Sequence, residues 1–352
     1  MKHIFTYGFL LFILLAGCED IYRPDIDEVD NVLVADARIS ADENINYINL
    51  YESVGYYENA STGPAVTTAT VTLIDNNGEA HQLPHYSQGQ YVLNLTIDPE
   101  KQYKLKIEYD GDVYESTFEQ VPQKPSLDTV YGIEETLVQL AGGDNDVDNA
   151  REVEGVRLYA DISSNEEMPY YRFTTHYVLQ YSYSVAGDPP MAMIDYYFGW
   201  KHVYPQGGSF NIASPPEYST SIEIKKHPLF FVQNSRRDSV GHHFEGWIVI
   251  LYQHGITENS HGYYDDLNKQ LDAEGKIFDP LYVQARSNME CTTNSKHIIL
   301  GNFEISSSNE TRYYVRYISE KNGFILRPIH ELYDIPPSNE MKNMVPEFWQ
   351  YP

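Results

Sequence analysis

Residues 103–109 read Tyr-Lys-Leu-Lys-Ile-Glu-Tyr, apolar and charged by turns. Successive side chains of a strand point to opposite faces, so strict alternation describes a sheet with one dry and one wet side. The pattern recurs in short runs along the first third of the chain: 31–40, 46–53, 69–75, 79–83, 90–96, 102–109 and 112–120. Asp75-Asn-Asn-Gly78 and Asp110-Gly111 separate neighbouring runs, and Asn, Asp and Gly tolerate the positive φ that tight hairpins demand. Seven short strands in about 90 residues predict an immunoglobulin-like or transthyretin-like β-sandwich over 31–121.

Pro122 to Pro125 makes a stiff break. Beyond it, 126–352 reads as a larger β-rich domain. Its strands are expected at 126–135, 156–163, 170–183, 195–204, 220–225, 246–253, 296–306 and 311–319, and a mobile Gly/Asp/Asn-rich loop at 141–154. One helix interrupts them. Thr257 caps it, Tyr264, Leu267 and Leu271 recur at helical spacing through Ala273, and Gly275 stops it. The predicted class is mainly β, a sandwich followed by a larger β domain with one inserted helix.

The chain opens with Lys2 and His3, continues through a short apolar run from Ile4 to Ala16, and closes on Leu15-Ala-Gly-Cys18. A charged start, about a dozen apolar residues and small residues before a cut describe a secretory signal over 1–17, too short to span a bilayer comfortably. The cysteine after Leu-Ala-Gly resembles a bacterial lipobox, which makes Cys18 the lipidation site. Residues 18–30 are acidic and aperiodic, and are expected to form a tether. The net charge of −27 argues against nucleic acid and against peripheral binding to anionic lipid. The only other cysteine is Cys291, so no intramolecular disulfide is expected once Cys18 carries lipid.

Candidate chemistry is sparse. Asp144, Asp146 and Asp148 alternate in a loop, as calcium ligands do, but the EF-hand positions that need Gly and Glu hold Asn149 and Gly155. The histidines at 81, 85, 242, 243, 254 and 261 lack the carboxylate spacing of zinc sites, and no metal or other cofactor is expected. No nucleophile elbow, phosphate loop or dinucleotide fingerprint occurs. The 31 tyrosines are more informative, because many stand in doublets. Tyr56 and Tyr57 in a loop, and Tyr196, Tyr197 and Trp200 on a strand, are the candidate ligand-binding aromatics, suited to stack on glycan or peptide.

Several segments in order carry a resemblance: Leu15 to Cys18, Asn31-Val-Leu-Val34, Ala69 to Gly78, Gly89-Gln-Tyr91, Tyr103 to Ile107, Pro169-Tyr-Tyr-Arg-Phe173, the block from Ile248 to Pro280, and Gly301-Asn-Phe303. In this order they resemble the Bacteroidetes lipoproteins grouped as domain-of-unknown-function family 4249. The chain departs from that pattern at its C-terminal end, which lacks paired cysteines. The resemblance implies an outer-membrane lipoprotein, on the periplasmic face or the cell surface, acting as an accessory or ligand-capture partner of a TonB-dependent transporter, and it implies no known reaction; with no catalytic motif in the chain, a non-enzymatic role is expected. A surface hydrolase of glycan or peptide and an adhesin-like structural subunit are the alternatives.

Overall fold

The structure is a computed structural model and describes residues 31–54, 63–140, 150–163, 168–187, 193–205, 208–216, 222–234, 242–272, 285–319 and 323–351. The expected signal, Cys18, the tether, Tyr56, Tyr57, Asp144, Asp146 and Asp148 lie outside these residues.

The protein is mainly β, with one helix among the described residues. In chain order the elements are β1 (Leu33–Ser40), β2 (Ile45–Glu52), β3 (Thr70–Asp75), β4 (Ala80–Leu83), β5 (His85–Ser87), β6 (Gln90–Asn94), β7 (Gln102–Tyr109), β8 (Asp112–Ser116), β9 (Glu119–Gln120), β10 (Thr129–Leu140), β11 (Ala150–Ser163), β12 (Tyr171–Ala186), β13 (Ile194–Val203), β14 (Asn211–Ala213), β15 (Glu223–Gln233), β16 (His243–Gly255), α1 (Glu258–Asp272), β17 (Met289–Cys291), β18 (Ile299–Ser319), β19 (Gly323–Ile329) and β20 (Asn339–Lys342).

The first sandwich packs a sheet containing β1, β2, β6 and β5 against a sheet ordered β17-β8-β7-β3-β4. The alternation that marked β7 works as expected: Tyr103, Leu105 and Ile107 are buried and Lys104, Lys106 and Glu108 are not. They meet Leu33, Ala35, Ala37 and Ile39 of β1, and Ile48 and Leu50 of β2, in one core. The hairpin turns have their predicted chemistry. Asp110 and Gly111 both take positive φ, 49° and 84°, and Asp75 Oδ1 accepts the amides of Asn77 and Glu79 at 2.9 and 2.8 Å.

This core is not built from residues 31–121 alone. Met289, Cys291, Ile299, Phe303 and Ile305 lie in it. Strand β17 pairs with β8, and the first half of β18 runs parallel to β1, from Leu33 opposite Ile299 to Ser40 opposite Ser306. The two strands expected at 296–306 and 311–319 are one strand of 21 residues, about 70 Å long. Ser306 to Glu310 looks like a break in the sequence because it is polar, yet there the strand passes from one unit to the next. Ser307 Oγ donates to Pro122 O at 2.6 Å, and Ser308 N donates to Asp42 at 2.5 Å.

The second half of β18 joins β16, β12, β13 and β20 in the central sheet, with β19 on its other side. The three-stranded sheet β10-β11-β15 covers one face of it, burying Val156, Leu158 and Ala160 against Phe173, Val249, Leu251 and Val315. On the opposite face, Val178, Trp200, Ile248 and Ile250 meet the C-terminal segment through Phe348, Tyr333 and Ile335. Residues 150–154, read from sequence as part of a mobile loop, are strand paired with 136–140. Helix α1 begins at its predicted cap, where Thr257 Oγ1 accepts the Ser260 amide at 3.4 Å. Only Tyr264 of its predicted apolar stripe is fully buried, and Leu271 is exposed. No described helix is long and apolar enough to cross a membrane.

Candidate functional site

Cross-strand register decides which side chains share a face. On β12, Phe173 and Tyr177 face the three-stranded sheet, so Arg172, Thr174, His176 and Val178 face the other way. Their partners on β16 are His254 opposite Arg172, Tyr252 opposite Thr174, and Ile250 opposite His176. On β18, Glu310 lies opposite Tyr252 and Arg312 opposite Ile250. One face of the central sheet therefore carries a patch of rings and polar groups around the buried Ile250.

The rings are near parallel. Tyr204 and His176 have centroids 5.0 Å apart, His176 and Tyr252 6.1 Å, and Tyr252 and His254 6.3 Å. His202 flanks the row, 5.9 Å from His176. Rings stacked along a sheet surface stand on edge, so their faces meet each other and their polar rims point away from the sheet. At one end α1 borders the row, with Tyr264 against the guanidinium of Arg172 at 5.4 Å. At the other the C-terminal segment borders it: Arg312 donates to Tyr333 O at 2.6 Å, and His202 Nε2 donates to Pro336 O at 2.9 Å.

His176, Tyr252 and His254 are uncharged at neutral pH. Burial lowers His176, and burial followed by the charge of Arg172 lowers His254 to about 4. Burial and then Glu310 push the Tyr252 phenol up to about 12. His254 Nε2 shares a hydrogen bond with Thr174 Oγ1 at 2.9 Å. The charged neighbours cancel in pairs, Arg312 with Glu310 at 2.6 Å and Arg172 with Glu304 at 2.7 Å.

The aromatics singled out from sequence are distributed differently. Trp200 is a correction. It is 1% exposed, packs edge-on against Phe348, and donates Nε1 to the carbonyls of Pro336 and Pro337, both at 3.0 Å. A buried indole holding the C-terminal segment lines no binding surface. Tyr197 lies on the opposite face, stacked on Tyr183 at 4.8 Å, while Tyr196 is 54% exposed near the strand end. Tyr183 and Tyr181 both donate to Glu340. Tyr252 and His254 come from β16, His176 from β12, and Tyr204 from the residue just after β13. Their grouping is set by the β12–β16 and β12–β13 registers, which no local pattern states.

Other places are less open to chemistry. Cys291 is buried in the sandwich core, and its sulfur lies 3.3 Å from Thr293 Oγ1. The nearby His297 turns its two nitrogens to Asp112 and Asn294, not to the thiol. Among the described residues, no three His, Cys, Asp or Glu side chains converge as metal ligands. A cleft of about 590 Å³ beside α1 is lined by Tyr170, Glu258, His261, Asp265 and Arg286. Arg286 is already held by both oxygens of Asp266, at 2.7 and 3.1 Å.

No curated protein and no solved structure matches the chain. A family model described as a domain of unknown function, DUF4249, matches residues 19–312, from just after Cys18, through the shared strand β18, to Arg312 beside the ring row. The match spans most of the chain and both β units, so the protein belongs to the DUF4249 family.

Proposed function

We propose that the protein is an outer-membrane lipoprotein, anchored through Cys18, that captures a ligand beside a TonB-dependent transporter without turnover of its own. The observation that carries this reading is the row of Tyr204, His176, Tyr252 and His254 between α1 and the C-terminal segment. The lipobox motif and the signal before it support the anchor. A capture protein needs a standing array of polar and aromatic groups and no group poised for proton transfer. Among the described residues, each carboxyl displaced from its ordinary pKa is displaced downward: Asp75, Asp112, Glu135, Asp195, Asp266 and Glu304. A glycosidase acid needs the opposite displacement, and none of these six carries it.

The test has two arms. Labelled palmitate is expected to enter the wild-type protein and not Cys18→Ala, which should be released from the membrane fraction. Affinity purification from detergent-solubilised outer membranes is expected to recover a TonB-dependent transporter. An unlabelled wild-type protein removes the anchor, and recovery without a transporter removes the partner.

A further inference from the structure

We infer that the row Tyr204–His176–Tyr252–His254 binds an uncharged, polyhydroxylated chain, a neutral oligosaccharide laid over β12, β16 and the segment that follows β13. This deepens the capture reading and rests on it.

Three observations narrow the ligand class. The first is charge. Burial keeps His176 and His254 neutral, Tyr252 keeps its proton, and Arg312 and Arg172 are matched by Glu310 and Glu304. An ionic ligand would find no unpaired countercharge in the row, and an anion would also meet the repulsion of a chain of net charge −27.

The second is the polar rim. Among the described residues no protein group bonds the nitrogens of His176 or the hydroxyl of Tyr204, and Thr174 is exposed beside His254. These groups offer donors and acceptors side by side, as a string of sugar hydroxyls requires. Tyr204 ends the row, is 62% exposed, and stacks on His176. His202 lies near-parallel to it at 6.3 Å, and the exposed part of the Tyr204 ring offers apolar surface to a sugar ring.

The third is topology. An extended peptide that adds to a sheet pairs with an edge strand, whereas β12 and β16 are interior strands with both edges paired.

The test uses the full-length lipoprotein in detergent micelles. The probes are a printed array of neutral gluco-, xylo-, manno- and galacto-oligosaccharides, their uronic-acid and sulfated counterparts, and uncharged peptides. Titration calorimetry follows on whatever is retained. Retention of a neutral oligosaccharide is expected, with an affinity unchanged when salt is raised. Tyr204→Ala and His176→Ala should each weaken it about ten-fold, the loss of roughly one good contact. Tyr197→Ala, on the opposite face, should leave it unchanged. Tyr204 is exposed, so its variant keeps the fold, and circular dichroism checks this. Salt-sensitive binding of acidic sugars only, or of peptides only, overturns the ligand class and leaves capture standing. Neutral-sugar binding indifferent to Tyr204→Ala and His176→Ala overturns the site. No retention by a folded protein overturns the inference, and the transporter purification then decides separately whether the accessory role survives.

Discussion

Arg172 of β12 and Glu304 of β18, 132 positions apart in the chain, meet at 2.7 Å beneath α1. Both side chains are almost wholly buried. Burial by itself would raise the Glu304 carboxyl. The charge and hydrogen bonds of Arg172, with the Tyr264 hydroxyl, outweigh burial and hold it below the usual range. The pair lies where the first sandwich meets the central sheet, and Asn302 adds a bond from the same strand to Ser260 of the helix at 3.1 Å.

Breaking this pair on one side strands a buried charge. Arg172→Met alone is expected to cost about 3–5 kcal/mol in urea unfolding, and Arg172→Met with Glu304→Leu much less, because the desolvation penalty leaves with the charges. The same linkage sets an acid limit. The contribution of Glu304 is complete above its unfolded pKa, near 4.5, and is lost as pH falls through the lower folded value. A single variant as stable as wild type would show that the contact contributes nothing.

Two histidines set a second pH dependence, closer to neutrality. Burial lowers His227 and His254 from 6.5 to about 4. Between these values the unfolded chain holds their protons and the folded chain does not. Stability is therefore full above pH 6.5 and declines as pH falls towards 4. Each such proton contributes a slope of about 1.36 kcal/mol per pH unit at most. His227→Gln and His254→Gln should each flatten the stability profile between pH 6.5 and 5, measured by denaturant titration. An unaltered slope in both would place those protons elsewhere.

Trp200 acts as a clasp. Trp200→Ala should cost about 3–5 kcal/mol through the cavity it leaves. It should also open the segment around Pro336 to limited proteolysis ahead of the rest of the chain. Trp200→Phe keeps most of the packing and loses only the bonds to the Pro336 and Pro337 carbonyls. It should be intermediate in both assays. Equal protease resistance in wild type and Trp200→Ala would mean the segment is held elsewhere.

Gly301 permits the parallel join. Its φ is +103°, and a Cβ there would stand 1.9 Å from Ala35 O on the neighbouring strand. Gly301→Ala must push β18 away from β1, which opens the core around Phe303. Loss of more than about 1 kcal/mol is expected from backbone strain alone, and more from the displaced strand. Thermal melting measures it, with Gly78→Ala, a positive-φ glycine with nothing near its would-be Cβ, as the comparison.

Period two and turn chemistry are local, so Tyr103 to Tyr109 and Asp110-Gly111 could be read without the fold, as could the capped start of α1. The sequence by itself thus determined the β class, the hairpins of the first sandwich, the helix at Glu258–Asp272 and the family. It did not state that Leu33 pairs with Ile299, or that a polar Ser-rich stretch continues one strand between two cores, because a pairing across more than 250 residues leaves no local pattern. For the same reason Trp200 looked like a surface aromatic when it clasps the C-terminal segment. The ring row exists only where β12, β16 and the end of β13 fall into register, and the tertiary structure alone decided that, by burying one face of β12 under the three-stranded sheet and turning the other towards helix and tail.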